Sequence, residues 1–122
     1  MNPIDASAHV NYGNILKAQG KLVEATDHFE AALKIDSNHA YAHVNYGNIL
    51  KAKGKLVEAA EHYEAALKID PNHADTHFNY GVLLKAQGKL VEAAEHYDAA
   101  LKIMLTPRLS PLQLRQRLRD RL

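Results

Sequence analysis

The chain has 122 residues, 47% of them hydrophobic and 24% charged, and a formal net charge of +1; this is the balance of a globular domain large enough to bury a core. Cysteine is absent, which excludes disulfides, zinc–thiolate sites and thiol nucleophiles, and no run of about eighteen apolar residues is available to span a membrane. The charge is divided unevenly: residues 1–103 hold ten lysines and no arginine against thirteen acids, while 104–122 hold five arginines against Asp120 alone.

At the N-terminus, Met1-Asn2-Pro3-Ile4-Asp5 has neither a basic segment nor an apolar stretch, so no secretory leader is expected and a cytoplasmic setting is. From Ala6 the chain repeats itself. Residues 6–39 and 40–73 match at 28 of 34 positions, and a third copy from Ala74 tracks the second to Ile103 with seven differences in thirty. Each copy predicts two amphipathic helices, near 6–19 and 22–35, 40–53 and 56–69, then 74–87 and 90–103. In the second copy Val44, Tyr46, Gly47 and Leu50 mark one helix face, and Leu56, Ala59, Ala60, Tyr63, Ala66 and Leu67 mark the other helix's stripe. Between them Lys53-Gly54-Lys55 supplies a glycine for a left-handed turn. Asp70-Pro71-Asn72 closes the unit, because Pro71 cannot continue a helix and Asn72 can cap the next one.

After Ile103 the pattern stops. Ser110-Pro111-Leu112-Gln113 is a capping box with proline in the first turn, predicting a short basic helix over 110–122. Leu114, Leu118 and Leu122 form its apolar stripe between pairs of arginines. The expectation is that these leucines cover Leu83, Ala93 and Tyr97 at the open end of the third repeat; the alternative is a basic amphipathic helix that meets an acidic partner or membrane surface.

The 34-residue helix–turn–helix unit resembles the tetratricopeptide repeat family, whose pattern is W-x2-L-G-x2-Y, then A-x3-F, then P. Its small places match at Gly13, Gly47 and Gly81, at Ala25, Ala59 and Ala93, and at Ala32, Ala66 and Ala100. The aromatic place holds Phe29, Tyr63 and Tyr97; Pro71 fills the proline place, which Ser37 takes in the first repeat. Two departures stand out. Leu and Tyr are exchanged, as Tyr12, Tyr46 and Tyr80 precede Leu16, Leu50 and Leu84, and the first aromatic becomes His9, His43 and His77. The resemblance implies an all-α, right-handed superhelical solenoid in one domain of residues 1–122, with repeats 6–39, 40–73 and 74–107 and a C-terminal capping helix. It further implies small residues where helices cross closely.

The family's function is protein interaction, with an extended peptide or partner protein held on the concave wall formed by each repeat's first helix. Its groove places correspond here to Val10, Val44 and Phe78; to Asn11, Asn45 and Asn79; to Asn14 and Asn48; to Tyr41; and to Lys17, Lys51 and Lys85. The Asn11/Asn45/Asn79 row is similar to that lining the peptide groove in the superhelical domain of O-linked N-acetylglucosamine transferase. An amide donates and accepts at once, so such a row can read a peptide backbone. Family members that clamp a terminal carboxylate use three cations that Val10, Asp75 and Asn79 replace here, so no carboxylate clamp is expected.

No glycine-rich phosphate loop or nucleophile–base pair is present, and the carboxylates recur with the repeats, so neither catalysis nor a cofactor is expected. The eight histidines fall into three repeat columns, 9/43/77, 28/62/96 and 39/73, which duplication explains without a metal site. His39/His43 and His73/His77 have i, i+4 spacing, but no completing ligands stand nearby in sequence. No nucleic-acid partner is expected. Two further readings stay open: a structural or engineered scaffold that self-associates through its repeat ends or its C-terminal helix, and a repeat fragment of a larger enzyme such as a glycosyltransferase.

Overall fold

The computed structural model describes residues 3–105 and 110–121. Its described residues form seven α-helices and no strand: α1 (Pro3–Ala18), α2 (Leu22–Ile35), α3 (Ala40–Ala52), α4 (Leu56–Ile69), α5 (Ala74–Ala86), α6 (Leu90–Leu105) and α7 (Pro111–Asp120). The end of the predicted third repeat, 106–107, the two residues that follow it, 108–109, and Leu122 of the predicted C-terminal helix lie outside the described residues.

Each repeat turns on a glycine. Gly20, Gly54 and Gly88 have φ of +79°, +79° and +77°, a region that costs a residue with a Cβ. The next residue's N–H then reaches back to Leu16, Leu50 or Leu84 carbonyl at 2.9 Å, closing a Schellman motif. Between repeats the Asp36 and Asp70 carboxylates accept from the Asn38 and Asn72 N–H groups at 3.0 and 3.2 Å. These turns place Asn72 before the helix, so it does not cap α5. His73 does: its Nδ1 accepts from Thr76 N–H at 3.2 Å, and His39 Nδ1 accepts from Ala42 N–H at 3.3 Å. Asn is the commoner cap, but here the preceding aspartate has already engaged its backbone. Helix α6 runs to Leu105 because Met104 and Leu105 stand where Asp36-Ser37 and Asp70-Pro71 end the other repeats.

The helices pack as three hairpins, α1/α2, α3/α4 and α5/α6, joined by α2 on α3 and α4 on α5. The glycines of the first helices permit the close crossing expected of them. A Cβ on Gly13, Gly47 or Gly81 would lie 2.7, 3.0 or 2.8 Å from the ring of Phe29, Tyr63 or Tyr97. Two apolar clusters result. One gathers Ala6, Val10, Leu16, Ala25, Phe29, Ala32, Ala42 and Ile49; the other gathers Leu50, Ala59, Tyr63, Tyr80, Leu83, Leu84 and Ala93. Tyr46 packs against both.

Helix α7 forms where its capping box places it: Ser110 Oγ accepts from Gln113 N–H at 3.2 Å, and Gln113 Oε1 accepts from Ser110 N–H at 3.0 Å. It does not cover the third repeat. Leu112, Leu114 and Leu118 are exposed, and α7 packs on no other helix among the described residues. Its apolar stripe forms one helix face without a partner inside the described chain, so the expected cap is not made.

Candidate functional site

The first helices of the repeats bring most of the residues expected to line a groove onto adjoining concavities. One of about 580 Å³ is lined by Ser7, Val10, Asn11, Asn14, His39 and Tyr41. The next, of about 270 Å³, is lined by Tyr41, Val44, Asn45, Asn48, His73, Asp75, Phe78 and Asn79. Tyr41 belongs to both, edge-on to His39 and His73 with ring centroids 6.5 and 5.6 Å apart. Val10 and Val44 are buried floor residues, whereas Tyr41 and Phe78 present their rings to solvent. Phe78 and Asp75 also border a third, apolar concavity of about 460 Å³ at the end of the solenoid, with Ala74, Tyr97, Ala100, Leu101 and Met104.

Within these walls the asparagines differ. Asn11, Asn45 and Asn79 make no side-chain hydrogen bond among the described residues, leaving both functions of each amide available. Asn48 is engaged: its Oδ1 accepts from the Tyr63 hydroxyl. Asn14 has no such donor, because Phe29 occupies the equivalent place. Lys17, Lys51 and Lys85 line neither asparagine concavity. Lys51 is half-buried, and that burial lowers its pKa.

The histidines do something that neither i, i+4 spacing nor repeat columns reveal. His9 and His28, His43 and His62, and His77 and His96 meet Nδ1 to Nδ1 at 2.9, 3.0 and 3.0 Å across the three hairpins. Ring centroids 5.2 Å apart in each pair mean that the rings meet edge to edge along the N···N line. His43 Nε2 donates to the Ser37 carbonyl at 2.9 Å, and His77 Nε2 to the Pro71 carbonyl at 2.8 Å. A carbonyl only accepts, so in the neutral pair the Nδ1 of His43 and His77 is the acceptor and His62 and His96 donate. Burial, and secondarily His43 or His77, lowers the pKa of His62 and His96. Among the described residues no group of three or more His, Asp and Glu side chains is placed to hold a metal ion.

Cross-repeat bonds complete the set. The Tyr46 hydroxyl donates to Glu30 at 2.8 Å, and Tyr80 donates to Glu64. Burial and the neighbouring carboxylate push the Tyr46 phenol up to about 12, and the same causes raise Tyr80. Burial raises Tyr63. These phenols stay protonated as structural donors. A sequence signal for both contacts existed in the constant offsets, 19 residues for the histidines and 16 for Tyr–Glu, but only the helix crossing gives those offsets meaning.

No helix among the described residues is long and apolar enough to cross a membrane. The chain matches a TPR repeat model over residues 13–54 and 47–88 and a tetratricopeptide repeat model over 74–106. No curated protein matches it significantly. Among solved structures, the first TPR of Spaghetti (RPAP3) bound to the HSP90 peptide SRMEEVD aligns with TM-score 0.82 at 20% identity, over 98% of this chain and 92% of that one. The second TPR of the same protein, bound to the same peptide, aligns with TM-score 0.80 at 22% identity, over 84% and 94%. MamA aligns with TM-score 0.77 at 21% identity over 84% of this chain, which spans 60% of the MamA chain.

Proposed function

Since the chain belongs to the tetratricopeptide repeat family, and that fold serves protein interaction, we propose that its concave wall binds an extended segment of a partner protein by reading the peptide backbone. What carries this reading is the row of unpartnered amides, Asn11, Asn45 and Asn79, one per repeat on adjoining concavities. First helices of neighbouring repeats lie about 10 Å apart, and extended chain advances about 3.3 Å per residue. Each amide therefore meets roughly every third peptide residue. At about 0.5–1.5 kcal/mol net per hydrogen bond, three repeats give modest affinity, supplemented by side chains stacking on Tyr41 and Phe78.

The SRMEEVD peptide of the two Spaghetti structures is acidic, and this groove suits such a peptide poorly. Val10, Asp75 and Asn79 stand where carboxylate-clamping relatives carry cations, and Asp75 repels a terminal carboxylate. An internal segment without a charge anchor is the better ligand.

A peptide array with free and amidated C-termini, probed with residues 1–122, tests this. The best-binding peptide should bind equally well in both forms. The triple change Asn11→Ala, Asn45→Ala and Asn79→Ala should weaken it at least about tenfold while leaving the melting temperature nearly unmoved, because alanine is the better mid-helix residue. Undiminished binding by the triple variant defeats the proposal.

A further inference from the structure

The two ends of this solenoid are complementary in a way that its interior spells out. At each internal junction the first helix of one repeat lies on the second helix of the repeat before it. In α5 Thr76, Tyr80 and Leu83 are 0, 7 and 0% exposed, and Tyr80 and Leu83 share the cluster with residues of α4. The same places in α1 are Ala8, Tyr12 and Ile15; Ala8 is exposed, and Tyr12 and Ile15 are 52 and 57% exposed. Residues 6–18 differ from 40–52 of α3 only at Ser7, so α1 carries the docking face of an internal helix with nothing described upon it.

The other end is its counterpart. Residues 90–103 of α6 differ from α4 only at Asp98, where α4 has Glu64. On α4 that surface holds α5; on α6 Ala94 and Asp98 border an open concavity and Leu101 is 55% exposed. Helix α7 leaves it uncovered.

We propose that the open α6 face binds the α1 face of a second copy of this chain, head to tail. Ile15 would lodge beside Leu101 as Leu83 lies in the interior, and Tyr12 would point at Asp98 of the other copy, repeating the Tyr46–Glu30 and Tyr80–Glu64 bonds. Neither face is its own complement, so the contact is heterologous and adds copies in one direction. It also sets Asn11 of one copy after Asn79 of the other, lengthening the asparagine row; the association itself does not depend on what that row binds.

Sedimentation velocity across a wide concentration range should show mass rising above the 13.6 kDa of one chain. Ile15→Lys spoils only the head and Leu101→Lys only the tail, both at exposed positions that do not threaten folding, which circular dichroism confirms. Each variant alone should associate at least about tenfold more weakly, since an unpaired ammonium is buried. Mixed, the Leu101→Lys head meets the intact tail of Ile15→Lys, giving a closed species of two chains. Leu114→Glu with Leu118→Glu should leave association unchanged. The proposal is overturned by a constant single-chain mass, by an Ile15→Lys chain that associates like the parent, by no pairing in the mixture, or by loss of association on changing the α7 leucines.

Discussion

Adding one methyl group to each crossing glycine tests how rigidly the hairpins are packed. Ordinary van der Waals contact begins near 3.4 Å, so the 2.7 Å approach to Phe29 in Gly13→Ala requires the ring to retreat by roughly 0.7 Å. Phe29 is fully buried and has nowhere to go. Overpacking of this kind costs about 1–3 kcal/mol, offset by about 1 kcal/mol from replacing a mid-helix glycine with alanine. Because the ring is fully buried and the approach is the tightest of the three, the overpacking at Gly13 falls in the upper part of that range, about 2–3 kcal/mol, and a net loss of about 1–2 kcal/mol is expected. Gly47→Ala should resemble it, because Tyr63 is buried and tethered to Asn48. Gly81→Ala meets Tyr97 at 2.8 Å, yet Tyr97 is half-exposed at the open end and can swing aside. That variant should be neutral or slightly more stable than the parent. Urea unfolding followed by far-ultraviolet circular dichroism ranks the three. A Gly13→Ala protein as stable as the parent, or Gly81→Ala as the worst of the series, refutes this account of the packing.

Two further outcomes follow from the polar contacts. Tyr63→Phe removes the hydroxyl donated to Asn48 but keeps the ring, as Phe29 does one repeat earlier; denaturant unfolding should show a loss of about 0.5–1.5 kcal/mol, and a loss as large as a cavity would produce contradicts that reading. Stability should also fall in acid. The folded-state pKa values of His62 and His96 lie below the ordinary 6.5, so the unfolded chain takes up protons first as pH drops through that value and is favoured. Nearby Glu58 and Glu61, and around His96 Glu64, Glu92 and Glu95, oppose the shift without cancelling it. Melting temperatures should therefore hold above about pH 7 and decline below about 6.5, and the decline should shrink when His62 and His96 are both replaced by Gln; a flat profile over that range rules out the pair as its source.

The periodicity of the sequence carried most of this fold, because a 34-residue repeat with small residues at the crossings admits few packings. What it concealed has a common physical cause. The amphipathic stripe of 110–122 shows that one face is apolar, but not what that face meets, and α7 meets no helix among the described residues. Asn72 is a good cap by type, yet capping is decided by which backbone amide stays free after the Asp70 turn. The histidine pairs needed the relative rotation of two helices, which no property of either helix states. The repeat place put Asn11, Asn45 and Asn79 on the first helices, whereas the engagement of Asn48 by Tyr63 depended on a hydroxyl that Phe29 lacks.

Among the described residues α3 is the one helix whose buried side chains enter both apolar clusters, Ala42 and Ile49 in one and Leu50 in the other, with Tyr46 touching each. No direct packing links α1 with α5 among the described residues. Under mechanical tension applied at its ends, such a molecule sheds repeats from the outside, since detaching α1/α2 or α5/α6 leaves one cluster intact. The force record should then carry small successive steps instead of a single large rupture, an outer hairpin leaving before α3/α4 yields. Elasticity of that kind lets a short chain lengthen by increments while its middle still holds.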